Sequence, residues 1–205
     1  MPAHAETAFD LVVLLDREGH AVGTQPRATV HHADTPLHLA FSCYAVDPDQ
    51  RLLVTRRASE KTTFPGLWTN TVCGHPAPGE SLSSAVRRRA ADELGLTVQE
   101  LRLLLPRYTY RAEMDGVVEY EWCPVLLAPV REDVMCTPAA SEVGETAWLP
   151  WREVVSLAQD PPPDWSPWAM EQVRLLDALG PDPLAWQPGD PALLPPALSE
   201  RPPTR

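Results

Sequence analysis

Gly74-x5-Glu80-x7-Arg88-Arg89-Ala90-Ala91-Asp92-Glu93-Leu94-Gly95-Leu96 is the stretch whose reading decides the fold of this chain. From Ser81 onward the apolar residues Leu82, Ala85, Val86, Ala90 and Leu94 return at the spacing of one helix face, and Gly95 stands where a helix end favours glycine. The spacing predicts a loop entering a helix that carries carboxylates and arginines on successive turns. Such an arrangement can hold a divalent cation and a diphosphate together. The plain alternative is an exposed helix with ordinary charges, but the ordered string is much rarer by chance than any one residue in it.

Working outward, the apolar run Phe9 to Leu15 ends at Asp16-Arg17-Glu18-Gly19 and reads as a strand and turn. His38 to Val46 and Leu52 to Arg56 flank Asp47-Pro48-Asp49-Gln50, a hairpin signal. Beyond the helix, Leu101 to Leu105, Arg107 to Glu113 and Val117 to Ala128 read as strands, the last two joined across Met114-Asp115-Gly116. Thr146 to Leu149 reads as a short strand. Trp151 to Gln159 starts a helix stopped by Pro161-Pro162-Pro163, and Trp168 to Leu179 is an amphipathic helix closed by Gly180. Strands interleaved with two or three helices imply an α/β or α+β layered domain over residues 1–180. Eight prolines follow Gly180 within 25 residues, so 181–205 is predicted to be a poorly ordered tail without chemistry.

The whole chain sets bounds. With 205 residues and 44% apolar composition, one substantial core is expected. No apolar run reaches the roughly 18 residues a membrane span needs. Phe9 to Leu15 lacks both a basic leader and a small-residue cleavage site, and the expectation is a cytoplasmic protein. Cys43, Cys73, Cys123 and Cys136 form no C-x-x-C pair and read as reduced thiols. A formal charge of -11 argues against nucleic acid or an anionic membrane as partner. A small anionic substrate stays open, provided a local cationic pocket works against the global field. Lys61 is the single lysine among 17 basic residues, so arginine must supply most of that charge.

Four groups of residues can carry chemistry. His31, His38 and His75 with Glu119 and Glu121 form a mixed N/O set suited to Mn²⁺, Zn²⁺ or Fe²⁺, because residues two apart on a strand share a face. Scattered surface histidines and a solvated glutamate pair explain the same spacing equally well. In Thr69-Asn70-Thr71-Val72-Cys73-Gly74-His75-Pro76, a thiol two residues before a candidate ligand could be activated by nearby positive charge, although a free cysteine is more often a small buried hydrophobe. Arg56-Arg57 with Lys61 suit phosphate oxygens, or form a solvated basic stretch. Trp168 is by default a core residue, one of seven tryptophans.

The opening stretch resembles the Nudix box, G-x5-E-x7-R-E-U-x-E-E-x-G-U with U aliphatic. Gly74, Glu80, Arg88, Glu93, Gly95 and Leu96 match, whereas Arg89 and Asp92 replace glutamates. Nudix hydrolases use that cluster to bind Mg²⁺, so Arg89 speaks against hydrolysis. The same departures are familiar in type 1 isopentenyl-diphosphate isomerases. That family is also resembled by His32-Ala33-Asp34-Thr35, Leu37 to Ser42, Leu53 to Ala58, Pro65 to Asn70, Val72 to Pro76 and Ser166-Pro167-Trp168, so that the likeness runs from about Phe9 to Leu179.

The resemblance implies a Nudix-like mixed sheet between helices and the interconversion of isopentenyl and dimethylallyl diphosphate in isoprenoid biosynthesis. It places Mn²⁺ or Zn²⁺ on His31, His38, His75, Glu119 and Glu121, and Mg²⁺ on Glu93 and the Cys73 carbonyl with the substrate diphosphate. Arg27, Arg57, Lys61 and Arg89 fall at diphosphate contacts, with lysine the usual residue at the first. Cys73 and Glu121 take the catalytic positions. Glu121, helped by Tyr110, is assigned to proton delivery, a Cys73 thiolate to proton removal, and Trp168 to shielding a carbocation-like species. The implied partner is a small isoprenoid diphosphate, and the protein a monomer or homodimer. A Nudix diphosphohydrolase and a non-catalytic, metal-stabilised binding module are the alternatives.

Overall fold

In the computed structural model, which describes residues 8–131 and 134–199, two mixed sheets meet along a seam that runs through the site. The first is ordered β2 (Ala21–Pro26), β1 (Leu11–Leu15), β3 (His38–Leu39), β10 (Val117–Trp122) and β9 (Thr109–Met114). The second is ordered β12 (Val143–Pro150), β5 (Arg51–Arg57), β4 (Phe41–Val46), β11 (Val125–Pro129) and β8 (Arg102–Leu105), with β6 (Trp68–Thr69) on β5 and β7 (Val72–Gly74) on β4.

The seam corrects one expectation. Val117 to Ala128 read as a single strand, but Cys123-Pro124 divides it, and Ala40 likewise divides His38 to Val46. Pro124 has no N–H for a ladder, and the chain changes sheet there. Two parallel pairings continue each other across the break, with Glu121 opposite His38 and Val125 opposite Ser42. Backbone bonds from Ala40 N to Trp122 O (2.9 Å) and from Ser42 N to Pro124 O (3.0 Å) join the two halves.

β4 is buried at every residue, as a continuous apolar run predicts. Phe41, Cys43 and Ala45 enter the cluster packed by helix α2 (Leu82–Leu94). Ala40, Tyr44 and Val46 enter the cluster packed by α3 (Trp151–Gln159) and α4 (Pro167–Asp177). This is the expected layering of sheet between helices. α2 starts at Ser81, whose side chain accepts from the Ser84 N–H at 3.2 Å, and ends at Gly95 in the left-handed region (φ 61°). Asp115 and Gly116 both have positive φ, 52° and 77°, as a two-residue hairpin loop requires, and Val117 pairs with Met114 across it. No helix among the described residues is long and apolar enough to cross a membrane.

The sequence reading named no strand at β6 or β7, and two further elements also escaped it. β2 is exposed or half-buried throughout and shows no apolar alternation, and α1 (Arg27–Val30) is a single turn. The tail expectation is narrowed. Residues 181–199 form no strand and only short turns, as their prolines require, yet they lie along the body. Trp186, 3% exposed, packs edge-on against Trp151 at 5.1 Å and donates from Nε1 to Gly180 O. Gly189 N donates to Leu103 O at 2.7 Å, and Ala197 N to Gly19 O at 3.0 Å. Residues 200–205 lie outside the described residues.

Candidate active site

Three separate pieces of chain bring the histidines together. His31 follows α1, His38 opens β3, and His75 follows β7. Their ring centroids lie 5.1, 5.6 and 5.1 Å apart. Because β3 and β10 pair with His38 opposite Glu121, the carboxylate joins them: Glu121 Oε1 is 3.1 Å from His75 Nε2 and 3.4 Å from His38 Nε2. One ligand atom from each of His31, His38, His75 and Glu121 falls within 4.8 Å of the others. The carbonyl of Pro36, which can only accept, lies 2.9 Å from His38 Nδ1. That places a proton on Nδ1 and turns Nε2 towards the Glu121 carboxylate. Nε2 of both His31 and His38 is buried without a hydrogen-bond partner. Burial, with His75 beside it, pushes His31 down to about 3, so its ring is the neutral, ligating form. These donors fit a divalent cation.

Glu119, expected in the same set, stands next to those four donors rather than among them. Tyr110 Oη lies 2.8 Å from Glu119 Oε2 and 2.9 Å from Glu121 Oε2. A phenol has one proton, so the bridge is complete when one carboxyl keeps its own. Burial and the charge of Glu121 raise Glu119. Burial also raises Glu121, but the His38 and His75 rings facing its Oε1 outweigh it and hold that carboxyl well below the usual range. Of the two carboxyls, Glu119 is the one that holds a proton more tightly.

A cavity of about 760 Å³ joins the remaining candidates. Cys73, Glu121, Tyr110 and Trp168 line its interior, and Arg27, Arg57, Lys61 and Arg89 also reach it. Trp168, 2% exposed, stacks on Tyr110 at 5.4 Å and meets the edge of Phe64 at 5.0 Å, with the Arg57 guanidinium 5.8 Å from its ring. Four donations fix Arg57: Nη2 to Thr63 O and Oγ1, both 2.8 Å, and Nε to Thr63 O and Phe64 O, both 3.1 Å. Glu93 lines a smaller cavity of about 30 Å³ with Cys73, Lys61 and Glu142. There Lys61 pairs with Glu142, and Arg89 pairs with Glu93 and lies 3.5 Å from Glu142.

A NUDIX domain family model matches residues 36–169. The isopentenyl-diphosphate Delta-isomerase of Mycolicibacterium vanbaalenii is 53% identical over 174 residues, covering 83% of this chain and 93% of its own. That of Saccharopolyspora erythraea is 51% identical over 190 residues, covering 92% and 97%. The chain belongs to the isopentenyl-diphosphate Delta-isomerase family. Solved structures agree on the fold. A Deinococcus radiodurans protein superposes with TM-score 0.60 at 17% identity, covering 80% of this chain and 98% of its own. A MutT protein from Methanosarcina mazei gives 0.55 at 18% identity, covering 71% and 96%.

Within the chain the box residues divide into a clamp and a charged cluster. Arg88 forks onto Glu80, with Nε to Oε1 at 2.8 Å and Nη2 to Oε2 at 2.7 Å, and its Nη2 reaches His75 O at 3.2 Å. Glu80 also accepts from the Ala77 N–H at 2.9 Å. The clamp fastens the His75 loop to α2. Gly74 lets the helix approach, because a Cβ there would lie 2.9 Å from Arg89 Cγ and 3.2 Å from Phe41 Cζ. Gly74→Ala is expected to destabilise the enzyme by about 1–3 kcal/mol, the usual cost of overpacking, measured as a drop in the denaturant midpoint at unchanged slope.

Sequence reasoning missed three residues. Ser42 and Asn70 touch the Cys73 sulfur at 3.4 and 3.1 Å, and Glu142 joins the cationic cluster. Ser42 and Asn70 lay inside quoted segments, but a short polar side chain carries no spacing signal. Glu142 lies far along the chain from the cations it meets.

Proposed function

We propose that the cavity interconverts isopentenyl and dimethylallyl diphosphate by giving one proton to the C₅ skeleton and removing another. The observation that carries this reading is the pair Cys73 and Glu121 lining one cavity beneath a tryptophan. An allylic shift needs one group that gives and one that takes. Burial pushes the Cys73 thiol up to about 11, whereas Glu121 is held ionised by His38 and His75. The pair then carries a single proton. With that proton on Cys73, the thiol delivers it to the terminal methylene carbon, and the Glu121 carboxylate, bonded to Tyr110, removes one from the carbon next to the diphosphate-bearing methylene. Both roles exchange in the reverse direction.

Arg27, Arg57, Lys61 and Arg89 supply positive charge for the diphosphate, opposing the net charge of -11. His31, His38, His75 and Glu121, with Glu119 beside them, would hold Mn²⁺ or Zn²⁺, and Glu93 with the Cys73 carbonyl would hold Mg²⁺. When bound, these ions supply fixed positive charge that orients Glu121 and neutralises the diphosphate. The box carboxylate Glu80, just ahead of α2, is engaged by Arg88, which argues against a hydrolase.

Trp168 and Tyr110 present aromatic surface where a cation would form, and their packing keeps water out. Trp168→Ala is expected to lower kcat roughly 10-fold or more, from a lost cation–π contribution of about 0.5–2 kcal/mol plus admitted water. Trp168→Phe should retain most turnover, and steady-state rates on folded variants check both. The reading itself is tested by incubating the metallated enzyme with isopentenyl diphosphate and Mg²⁺ in D₂O. Deuterated dimethylallyl diphosphate is the expected product, and release of inorganic phosphate or diphosphate in its place would establish hydrolysis.

A further inference from the structure

Behind Cys73 runs a line of buried polar side chains that the proton pair does not itself use. Tyr44 is 1% exposed, and Ser42 and Gln172 are 0% exposed. The Tyr44 hydroxyl donates to Gln172 Oε1 at 2.8 Å, and Gln172 Nε2 donates to Ser42 Oγ at 3.1 Å. Ser42 Oγ then lies 3.4 Å from Cys73 Sγ and 3.3 Å from Cys123 Sγ. On its far side Cys73 Sγ donates to Asn70 Oδ1 at 3.1 Å.

The direction of this line is set at both ends. Asn70 Nδ2 donates to the carbonyls of Cys43 and Val72, each at 3.0 Å, so the amide oxygen faces the sulfur. At the other end the phenol of Tyr44 donates to the amide oxygen of Gln172, which turns the Gln172 N–H towards Ser42. A hydroxyl has one proton and two lone pairs. With one lone pair of Ser42 taken by Gln172, the thiol of buried Cys123 can fill the other. The single Ser42 proton is then left for Cys73 Sγ.

We propose that Ser42, anchored by Gln172 and Tyr44, is a positioning residue that aims the Cys73 sulfur at the substrate during proton exchange. This rests on the reading of Cys73 as one of the two proton carriers. When Cys73 gives its proton, the S–H bond breaks and the proton goes to carbon. The Ser42 O–H stays intact and remains as a donor to the sulfur, while Asn70 Oδ1 no longer has an S–H to accept. Ser42 itself neither gains nor loses a proton. Register supports the assignment, because Ser42 pairs directly with Cys73 between β4 and β7. Gln172 also lies one turn beyond Trp168 on α4, so residues four apart on one helix face join the aromatic wall to the anchor of the thiol.

A network that merely holds α4 onto β4 would change stability and leave turnover per folded enzyme alone. Ser42→Ala and Tyr44→Phe are therefore compared with the parent by steady-state kinetics, with thermal melting to establish folding. The S–H stretching band of Cys73 is read in the infrared and identified as the band missing in Cys73→Ala. Ser42→Ala is expected to lower kcat roughly 3- to 10-fold, as for one lost hydrogen bond, with KM within about twofold and the S–H band displaced. Tyr44→Phe removes only an oxygen, and it should shift kcat and the band in the same sense. It decides the matter if Ser42→Ala does not fold. Parental kcat in a folded variant, or an unmoved S–H band, overturns the positioning role. If Cys73→Ala itself isomerises normally, the proton pair falls and this inference with it. If Cys73→Ala is inactive while Ser42→Ala keeps its kcat, only the inference falls.

Discussion

Cys73→Ala is expected to lower kcat by about 10²–10⁴-fold, the range over which a positioned acid/base group contributes, with little change in KM or melting temperature. The sulfur is half-buried and its hydrogen-bonding contacts are Asn70 and Ser42. Alanine leaves those two with an unfilled atom's worth of space but no buried charge, so folding should survive. The cations that would hold the diphosphate sit on other elements and stay in place. Measured by product formation from isopentenyl diphosphate, a parental rate in this variant would remove the thiol from the chemistry. It would leave the cavity as a binding site with a buried cysteine in its wall.

Glu121→Gln is expected to cost a comparable 10²–10⁴-fold in kcat and, unlike the cysteine change, to reduce the metal content of the purified protein. Glu121 Oε1 is the atom that His38 and His75 share, and its Oε2 meets Tyr110. An amide can offer one oxygen to this ring of donors but cannot carry a transferable proton, and its NH₂ turns a donor where a cation would bind. Elemental analysis with kinetics separates the two losses. Unchanged metal with lost turnover would assign Glu121 to proton transfer alone. Full activity in both Cys73→Ala and Glu121→Gln would favour the non-catalytic, metal-stabilised module.

Much of the frame was legible because it depends on local patterns. The α2 face from Leu82 to Leu94, the Gly95 stop, the Asp115-Gly116 hairpin and the α3 bounds all follow from periodicity and breakers, and all are present. The break at Cys123-Pro124 was hidden because the apolar run continues across it, even though Pro124 marked the place. On residues alone the histidine cluster was no better than even against scattered surface residues. What brings His38 and His75 to Glu121 is the pairing of β3 with β10 and of β7 with β4, which is long-range information, as is the placing of His31 after α1. The family resemblance supplied it. The role of Glu80 and Arg88 as a clamp, and the presence of Glu142 among the cations, depend on packing that no motif encodes.

The seam at Ala40 and Cys123-Pro124 has a consequence for substrate range. Glu121 and Val125 on one strand path face His38 and Ser42 on its parallel neighbour. The carboxylate and the hydroxyl that backs the thiol are thus spaced by four residues of extended backbone rather than by adjustable side chains. The gauge across which a carbon skeleton must fit between Glu121 and Cys73 is fixed by the chain itself. Variants meant to admit a longer or bulkier prenyl group have their freedom elsewhere, in the Trp168 wall and the Arg27 turn, where the lining can change while the gauge stays constant.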